Sequence, residues 1–344
     1  MKIHPFLSAA LAPVGTLYGA ALARHIRMYT DGRRTPAKLK GVVISVGNLT
    51  VGGTGKTPFV IYMMHRMLAA KLKAAVLTRG YRSRRRAGAN VGAQSNASDE
   101  ALLLAAALGD VRIGVGADRY RVGKNLESAG VEWFVLDDGF QHVQLARDVN
   151  ILLLDATVPL AGARVLPAGP YREPLTGMKR ADVIVLTRSS GNTNWEAQIR
   201  KYSPSPIFHA QTALRRVCRL AGGKAEACGD EWKREKLFAF CGIGNPKSFL
   251  ADLARWGGDV GGHLAFRDHH AFRPRDIAKL ETAAKAAGAT ALVCTEKDRF
   301  NLDGAGTISM PLFACEMDLV PLDEGGFWKC MRAVLARKRP EVNL

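Results

Sequence analysis

An apolar run, VVISVG (42 to 47), leads into a glycine-rich stretch, GNLTVGGTGKTP (47 to 58), which is followed by FVIYMMHRMLAA, apolar at helical spacing. Strand, glycine loop and helix in immediate succession form the phosphate-binding corner of a P-loop protein. Gly52, Gly53 and Gly55 have no Cβ, so the loop N–H groups around Thr54 can turn toward an anion, and the helix N-terminus adds partial positive charge. Lys56 would reach the outer phosphates of a nucleotide, and the Thr57 hydroxyl would bind Mg²⁺. Pro58 falls in the first helical turn, where N–H groups are spare. One position departs from the pattern G-x-x-x-x-G-K-[ST]: Thr50 stands where the first glycine belongs. The upstream Gly47 lengthens the entry to the loop and leaves the cradle intact.

Further apolar runs recur with helical stretches between them: AAVLTRG (74 to 80), VRIGVG (111 to 116), VEWFVLDD (131 to 138), VNILLLD (149 to 155) and DVIVLTR (182 to 188). Continuous apolar strands alternating with helices predict an α/β fold, a parallel sheet buried on both faces. The texture changes at about 203 to 236, where SPSPIF, LRRVCRL and AGGKAEACGDEW interrupt the rhythm, and it resumes with LFAFCGIG, HLAFRDHH, ALVCTEKD and PLFACEMDL. This predicts a P-loop core over residues 1–212, then a linker and a smaller α/β lobe over 213–344. RSRRRAGANVGAQSN (82 to 96) reads as a mobile basic loop.

A P-loop needs an acid at the end of a neighbouring strand. VEWFVLDDGFQH supplies Asp137 and Asp138, costly to desolvate unless a cation or donors neutralise them. Gln141 and His142 follow, either orienting these acids or capping the turn. SDEALLLAAALG (98 to 109) offers Asp99 and Glu100, which read equally as a functional pair and as first-turn acids behind a Ser98 cap. In FRDHHAF (266 to 272), Asp268 beside His269 is either a proton-handling pair or a surface turn.

Lys and Arg outnumber Asp and Glu by 18, a positive field suited to nucleic acid, phosphorylated lipid or an acidic membrane face. Phe6 to Ala23 is free of charge and is followed by Arg24, Arg27, Arg33, Arg34, Lys38 and Lys40. The stretch is short for a spanning helix and is interrupted by Pro13, Gly15 and Gly19. The preferred reading is an interfacial helix flanked by cations; a helix packed on the protein's own core and a signal peptide are the alternatives. The six cysteines lack any C-x-x-C pair, which suggests reduced, packed thiols and no zinc cluster.

Taken in order, GNLTVGGTGKTP, LTRGY, SDEALLLA, VGADR, LDDGFQH, LPAGPYREP, FRDHHAF and TEKD closely resemble the tetraacyldisaccharide 4′-kinase family, the lipid A 4′-kinases of Gram-negative bacteria. That family also lacks a glycine at position 50. The resemblance implies an enzyme of two α/β lobes joined by a β-ribbon, with the active site in the cleft. It implies transfer of phosphate from ATP, with Mg²⁺, to the 4′-hydroxyl of a membrane-embedded acylated glucosamine disaccharide 1-phosphate. By motif position Asp99 is the catalytic base and His269 its partner, Lys56 acts at the transferring phosphate, and Glu100, Asp137 and Asp138 join Thr57 on the magnesium side. Arg119, Arg172 and His142 are assigned to phosphate or sugar, while Tyr171 stands where the family would have an aliphatic residue. The expected enzyme is a monomer without nucleic-acid partners, peripheral on the cytoplasmic face of the inner membrane through its N-terminal segment. Two rivals share the cradle: a P-loop GTPase or metal-delivery ATPase, against which the absence of an N-K-x-D base-reading motif counts, TEKD being a poor copy, and a nucleic-acid-binding ATPase, which would need aromatics among the basic residues.

Overall fold

The structure, a computed structural model, describes residues 5–80, 99–189, 194–221, 224–268, 270–302 and 304–342, with the side chains of 5–7, 99 and 100 excepted. The basic stretch 82 to 96 and His269 lie outside the described residues. Contacts divide the chain into two units, Met1–Gln211 with Val320–Leu344, and Thr212–Leu319.

The first unit opens with helices α1 (Pro5–Ala10) and α2 (Ala12–Thr30), followed by β1 (Val42–Asn48), α3 (Lys56–Ala69), β2 (Ala74–Thr78), α4 (Asp99–Leu108), β3 (Arg112–Val115), α5 (Arg119–Ser128), β4 (Trp133–Asp137), β5 (Val149–Asp155), β6 (Val183–Thr187), α6 (Asn194–Arg200) and the start of β7 (Ile207–Ala221). Its strands run parallel in the order β7-β6-β5-β1-β4-β2-β3. Every residue of β1, β2, β4, β5 and β6 is buried, the burial that their unbroken apolar runs dictate. β1 lies between β4 and β5, so the chain leaves it on one side and later returns on the other. In open α/β sheets the carboxyl ends of strands at such a switch point form the ligand crevice.

The second unit contains the rest of β7, β8 (Lys224–Cys228), β9 (Lys236–Cys241), α7 (Pro246–Arg255), β10 (Asp259–Ala265), α8 (Pro274–Ala286), β11 (Ala291–Thr295), α9 (Glu296–Phe300) and most of β12 (Leu312–Pro321). β8 pairs antiparallel with β7 as a ribbon, while β10-β9-β11-β12 are parallel. Phe238, Phe240, Phe272 and Leu280 form one core cluster, and Trp232, Leu237, Phe249 and Leu253 another.

The expected extent of the smaller lobe, 213–344, needs correction at its end: residues 320–344 belong to the first unit. The cause is aromatic packing. Helix α10 (Glu324–Lys338) sets Phe327 edge-on to Phe59 of α3 and Phe208 of β7, and Trp328 Nε1 donates to the Tyr62 hydroxyl at 2.8 Å.

Helix α2 buries a stripe of small residues. A Cβ on Gly15 would stand 2.8 Å from the Val165 carbonyl oxygen, and one on Gly19 would meet the Val165 side chain. The opposite stripe leaves Val14, Leu17 and Tyr18 exposed, Leu17 at 72%. Among the described residues no helix is long and apolar enough to cross a membrane.

Candidate active site

β1 ends in Asn48, and the glycine loop that follows closes onto the N-terminus of α3. Gly52 has φ of 112° and Gly55, the N-cap of α3, has φ of 87°, backbone that an L side chain would strain. A Cβ on Gly52 would meet nothing within 4 Å, so that glycine serves backbone shape rather than packing. Inside the loop, buried Thr54 accepts from the Asn48 side-chain amide at 2.9 Å, and its carbonyl accepts from the Thr187 hydroxyl of β6 at 3.4 Å.

Thr50 needs no glycine because it lies in an antiparallel bridge opposite Tyr171. Val51 N–H donates to the Pro170 carbonyl at 2.8 Å, and Arg172 N–H to that of Leu49 at 2.7 Å. The LPAGPYREP segment thus splints the loop entry. Tyr171 is buried, and its hydroxyl donates to the Pro159 carbonyl; its side chain serves the core. The splint instead delivers Arg172 to the cradle.

Gly47 has a different role from lengthening the loop. A Cβ there would fall 2.6 Å from both Phe140 Cβ and Phe140 N, and one on Gly139 would fall 2.6 Å from Ser45 Oγ. These two glycines let the DDGFQH turn press directly onto β1. As a result Asp138 Oδ1 stands 3.5 Å from Lys56 Nζ, while Arg172 donates to both Asp138 oxygens at 2.7 Å. Burial alone would raise the Asp138 carboxyl, but Lys56, Arg172 and Arg119 outweigh it and hold its pKa at about 2. Asp138 also adopts φ of 53°, a left-handed conformation that costs a non-glycine residue about 1–3 kcal/mol and clusters at functional sites.

The two acids of the β4 end have different surroundings. Asp138 faces the cradle cations, whereas Asp137 is buried, and its carbonyl accepts from Arg119 at 3.4 Å. Arg119 is itself buried and donates to His142 Nδ1 at 3.3 Å. Burial, with Arg119 and Arg147 next in strength, lowers the His142 pKa to about 4, so the ring is neutral at pH 7 and can accept that bond. Lys56, Thr57, Asp138, Arg172, Arg119 and His142 therefore surround one loop and one turn. Asp99 and Glu100 open α4. Among the described residues no group of three or more His, Cys, Asp and Glu could hold a metal ion.

Three supporting residues, Glu173, Arg147 and Arg180, had no assigned role in the sequence, and Gln141 had two open ones. Gln141 donates to the Asn48 carbonyl and to Glu173, both at 2.8 Å, and Glu173 is bound by Arg180 through both oxygens. Arg147 donates to the carbonyls of Gly139, Phe140 and His142, and Arg180 lies over the Phe140 ring at 4.6 Å. Gln141 and Glu173 lie inside quoted motifs and could have been found there. Arg147 and Arg180 carry no motif.

A parallel sheet with a glycine cradle at its switch point, a lysine on the helix N-terminus and an ionised carboxylate beside it define a P-loop phosphotransferase. Comparison with known proteins specifies which one. A sequence model described as tetraacyldisaccharide-1-P 4′-kinase matches residues 7–336. The tetraacyldisaccharide 4′-kinase of Geobacter sulfurreducens is 36% identical over 326 residues, covering 92% of this chain and 90% of the relative, and that of Halothermothrix orenii is 36% identical over 86% and 83%. Among solved structures, the "apo" form of LpxK from Aquifex aeolicus in complex with ATP superposes with a TM-score of 0.72 at 31% identity, covering 95% of this chain and 99% of that one. The chain belongs to the tetraacyldisaccharide-1-P 4′-kinase family. It is a lipid A pathway kinase.

Proposed function

We propose that the Lys56–Asp138–Arg172 cluster is the phosphoryl-transfer centre of a kinase acting on the 4′-hydroxyl of an acylated glucosamine disaccharide 1-phosphate, with ATP as donor. The observation that carries this reading is one carboxylate, held ionised at about 2, shared by the cradle lysine and an arginine delivered by the splint. Phosphoryl transfer has a loose transition state, so catalysis is chiefly alignment and charge neutralisation. Lys56 and Arg172 exchange Asp138 for phosphate oxygens as the nucleotide enters, and the loop N–H groups from Gly52 to Thr57 close around them. Asp138, still ionised, is then available to a cation.

A hydroxyl and ionised carboxylates suit a hard divalent ion that keeps several waters. Thr57 and Asp138, with Asp137 and Glu100 nearby in the motif set, would hold Mg²⁺, which when bound supplies charge neutralisation at the transferring group. Asp99 accepts the proton of the sugar hydroxyl with His269 as its partner, roles assigned from the resemblance. Arg119, donating to His142 Nδ1 and to the Asp137 carbonyl, orients the turn carrying the acids.

The lipid substrate and the N-terminal helix fit together. Val14, Leu17 and Tyr18 face outward on α2, followed by exposed Arg24, Arg27, Arg33 and Arg34, a pattern suited to lying in an anionic interface. This supports peripheral attachment at the cytoplasmic face of the inner membrane.

The test offers labelled ATP and detergent-dispersed disaccharide 1-phosphate lipid and looks for phosphate on the distal sugar. Lys56→Ala and Asp99→Ala each lower turnover at least about a hundredfold with the melting temperature retained. Near-normal turnover by Asp99→Ala would remove the base assignment.

A further inference from the structure

We infer that Ser189, His209 and Glu196 read the base of the nucleotide and select a 6-amino purine. The inference deepens the proposed function and rests on the P-loop reading. From β1 the carboxyl edge of the first unit runs two ways. Toward β4 it is filled by the charged groups around Asp138, suited to phosphate. Toward β5, β6 and β7 the charge is already matched: Arg188 is ion-paired with Asp155, and Thr187 is bonded to Thr54. Immediately beyond lies a chain of uncharged and singly charged hydrogen-bonding groups. Ser189 Oγ is 2.6 Å from His209 Nδ1, and His209 Nε2 is 2.7 Å from Glu196 Oε1.

Position favours a nucleoside. His209 pairs with Leu186 across β6 and β7, and its carbonyl accepts from Leu322 N–H at 2.8 Å. It stands three strands from β1, about 14 Å at about 4.8 Å per strand, comparable with the span of an extended nucleoside triphosphate. Arg188 adopts φ of 55° directly before Ser189, a strained conformation for a non-glycine residue of the kind concentrated at ligand sites. The cluster is open to a ligand, with the His209 side chain 25% and that of Glu196 42% exposed.

Hydrogen-bond polarity then determines what is recognised. The Glu196 carboxylate can only accept, so Nε2–H of His209 donates to it. In the neutral imidazole Nδ1 must then accept, and the Ser189 hydroxyl must donate to it. With that proton committed, Ser189 Oγ and the second Glu196 oxygen present only acceptors to a ligand. An exocyclic 6-amino group satisfies them. A 6-oxo group would place lone pair against lone pair, a mismatch that polar sites reject strongly.

The test compares ATP with inosine triphosphate, which differs at that substituent, by equilibrium binding and by turnover. The wild-type enzyme binds ATP at least about tenfold more tightly, equivalent to about 1.4 kcal/mol. Ser189→Ala and His209→Phe weaken ATP and leave inosine triphosphate where it was, collapsing the ratio. Equal binding of both nucleotides by the wild type would overturn the inference without needing any variant. So would a folded Ser189→Ala protein in which both affinities move together, the mark of a merely structural tie. Tight, selective binding of ATP without transfer to lipid would instead refute the kinase reading and leave base selection standing.

Discussion

Replacing Gly47 by alanine tests whether the site depends on the DDGFQH turn touching β1. The new Cβ would lie 2.6 Å from Phe140 Cβ, 2.6 Å from Phe140 N and 3.1 Å from Phe140 Cα. Non-bonded carbons settle at about 3.5–4.0 Å, so the turn must retreat by about 1 Å. Overpacking of this kind costs about 1–3 kcal/mol. Its effect on catalysis is larger, because Asp138 lies two residues before Phe140, 3.5 Å from Lys56, and moves with the turn away from the cradle where it would serve the cation. A displacement of about 1 Å in a reacting geometry costs about a hundredfold in rate. The expected outcome is a folded Gly47→Ala enzyme, melting lower by about 2–4 °C per kcal/mol lost, with kcat reduced about a hundredfold. Trimming Phe140 to alanine in the same chain will not restore activity, because the backbone nitrogen remains in the way. Wild-type kcat in the single variant, or recovery in the double, would refute the reasoning.

Three further outcomes follow from the geometry. His142 has a folded pKa of about 4, below its ordinary value of about 6.5, so its contribution to stability is complete above about pH 6.5 and is lost as pH falls toward 4, about 3 kcal/mol in all. Urea midpoints of wild type and His142→Asn across this window check it, and identical pH dependence in both would contradict it. Phe327→Ala opens a cavity against Phe59 and Phe208 and lowers unfolding free energy by about 3–5 kcal/mol; chemical denaturation showing less than a third of this would count against the packing account. Replacing Val14, Leu17 and Tyr18 together by serine weakens binding to anionic vesicles while ATP binding stays unchanged, and undiminished vesicle binding would exclude α2 as the contact.

The strands and the cradle were legible because their signals are local. An unbroken run such as VNILLLD can be buried on both faces only in a covered sheet, and GGTGKT carries its own backbone requirement. What could not be read is set by contacts between distant segments. Thr50 departs from the local pattern, and the reason a glycine is unnecessary there is its bridge to Tyr171, far along the chain. Gly47 reads in sequence as an extension of the loop entry, yet its partner is Phe140, ninety-odd positions along the chain. Asp137 and Asp138 look equivalent in sequence, but β4 buries one and presents the other to cations. Arg147 serves three carbonyls of one turn, and no spacing rule announces such a role.

The return of residues 320–344 to the first unit has a consequence for biosynthesis. Helix α3, whose first turn carries Lys56, leans on α10 through Phe59 and Tyr62, so the nucleotide cradle is translated early and completed late. While the 254 residues between Ala69 and Glu324 emerge from the ribosome, the aromatic flank of α3 is left uncovered. A message cut short near codon 320 would therefore yield a product with every catalytic motif written and its cradle helix unsupported.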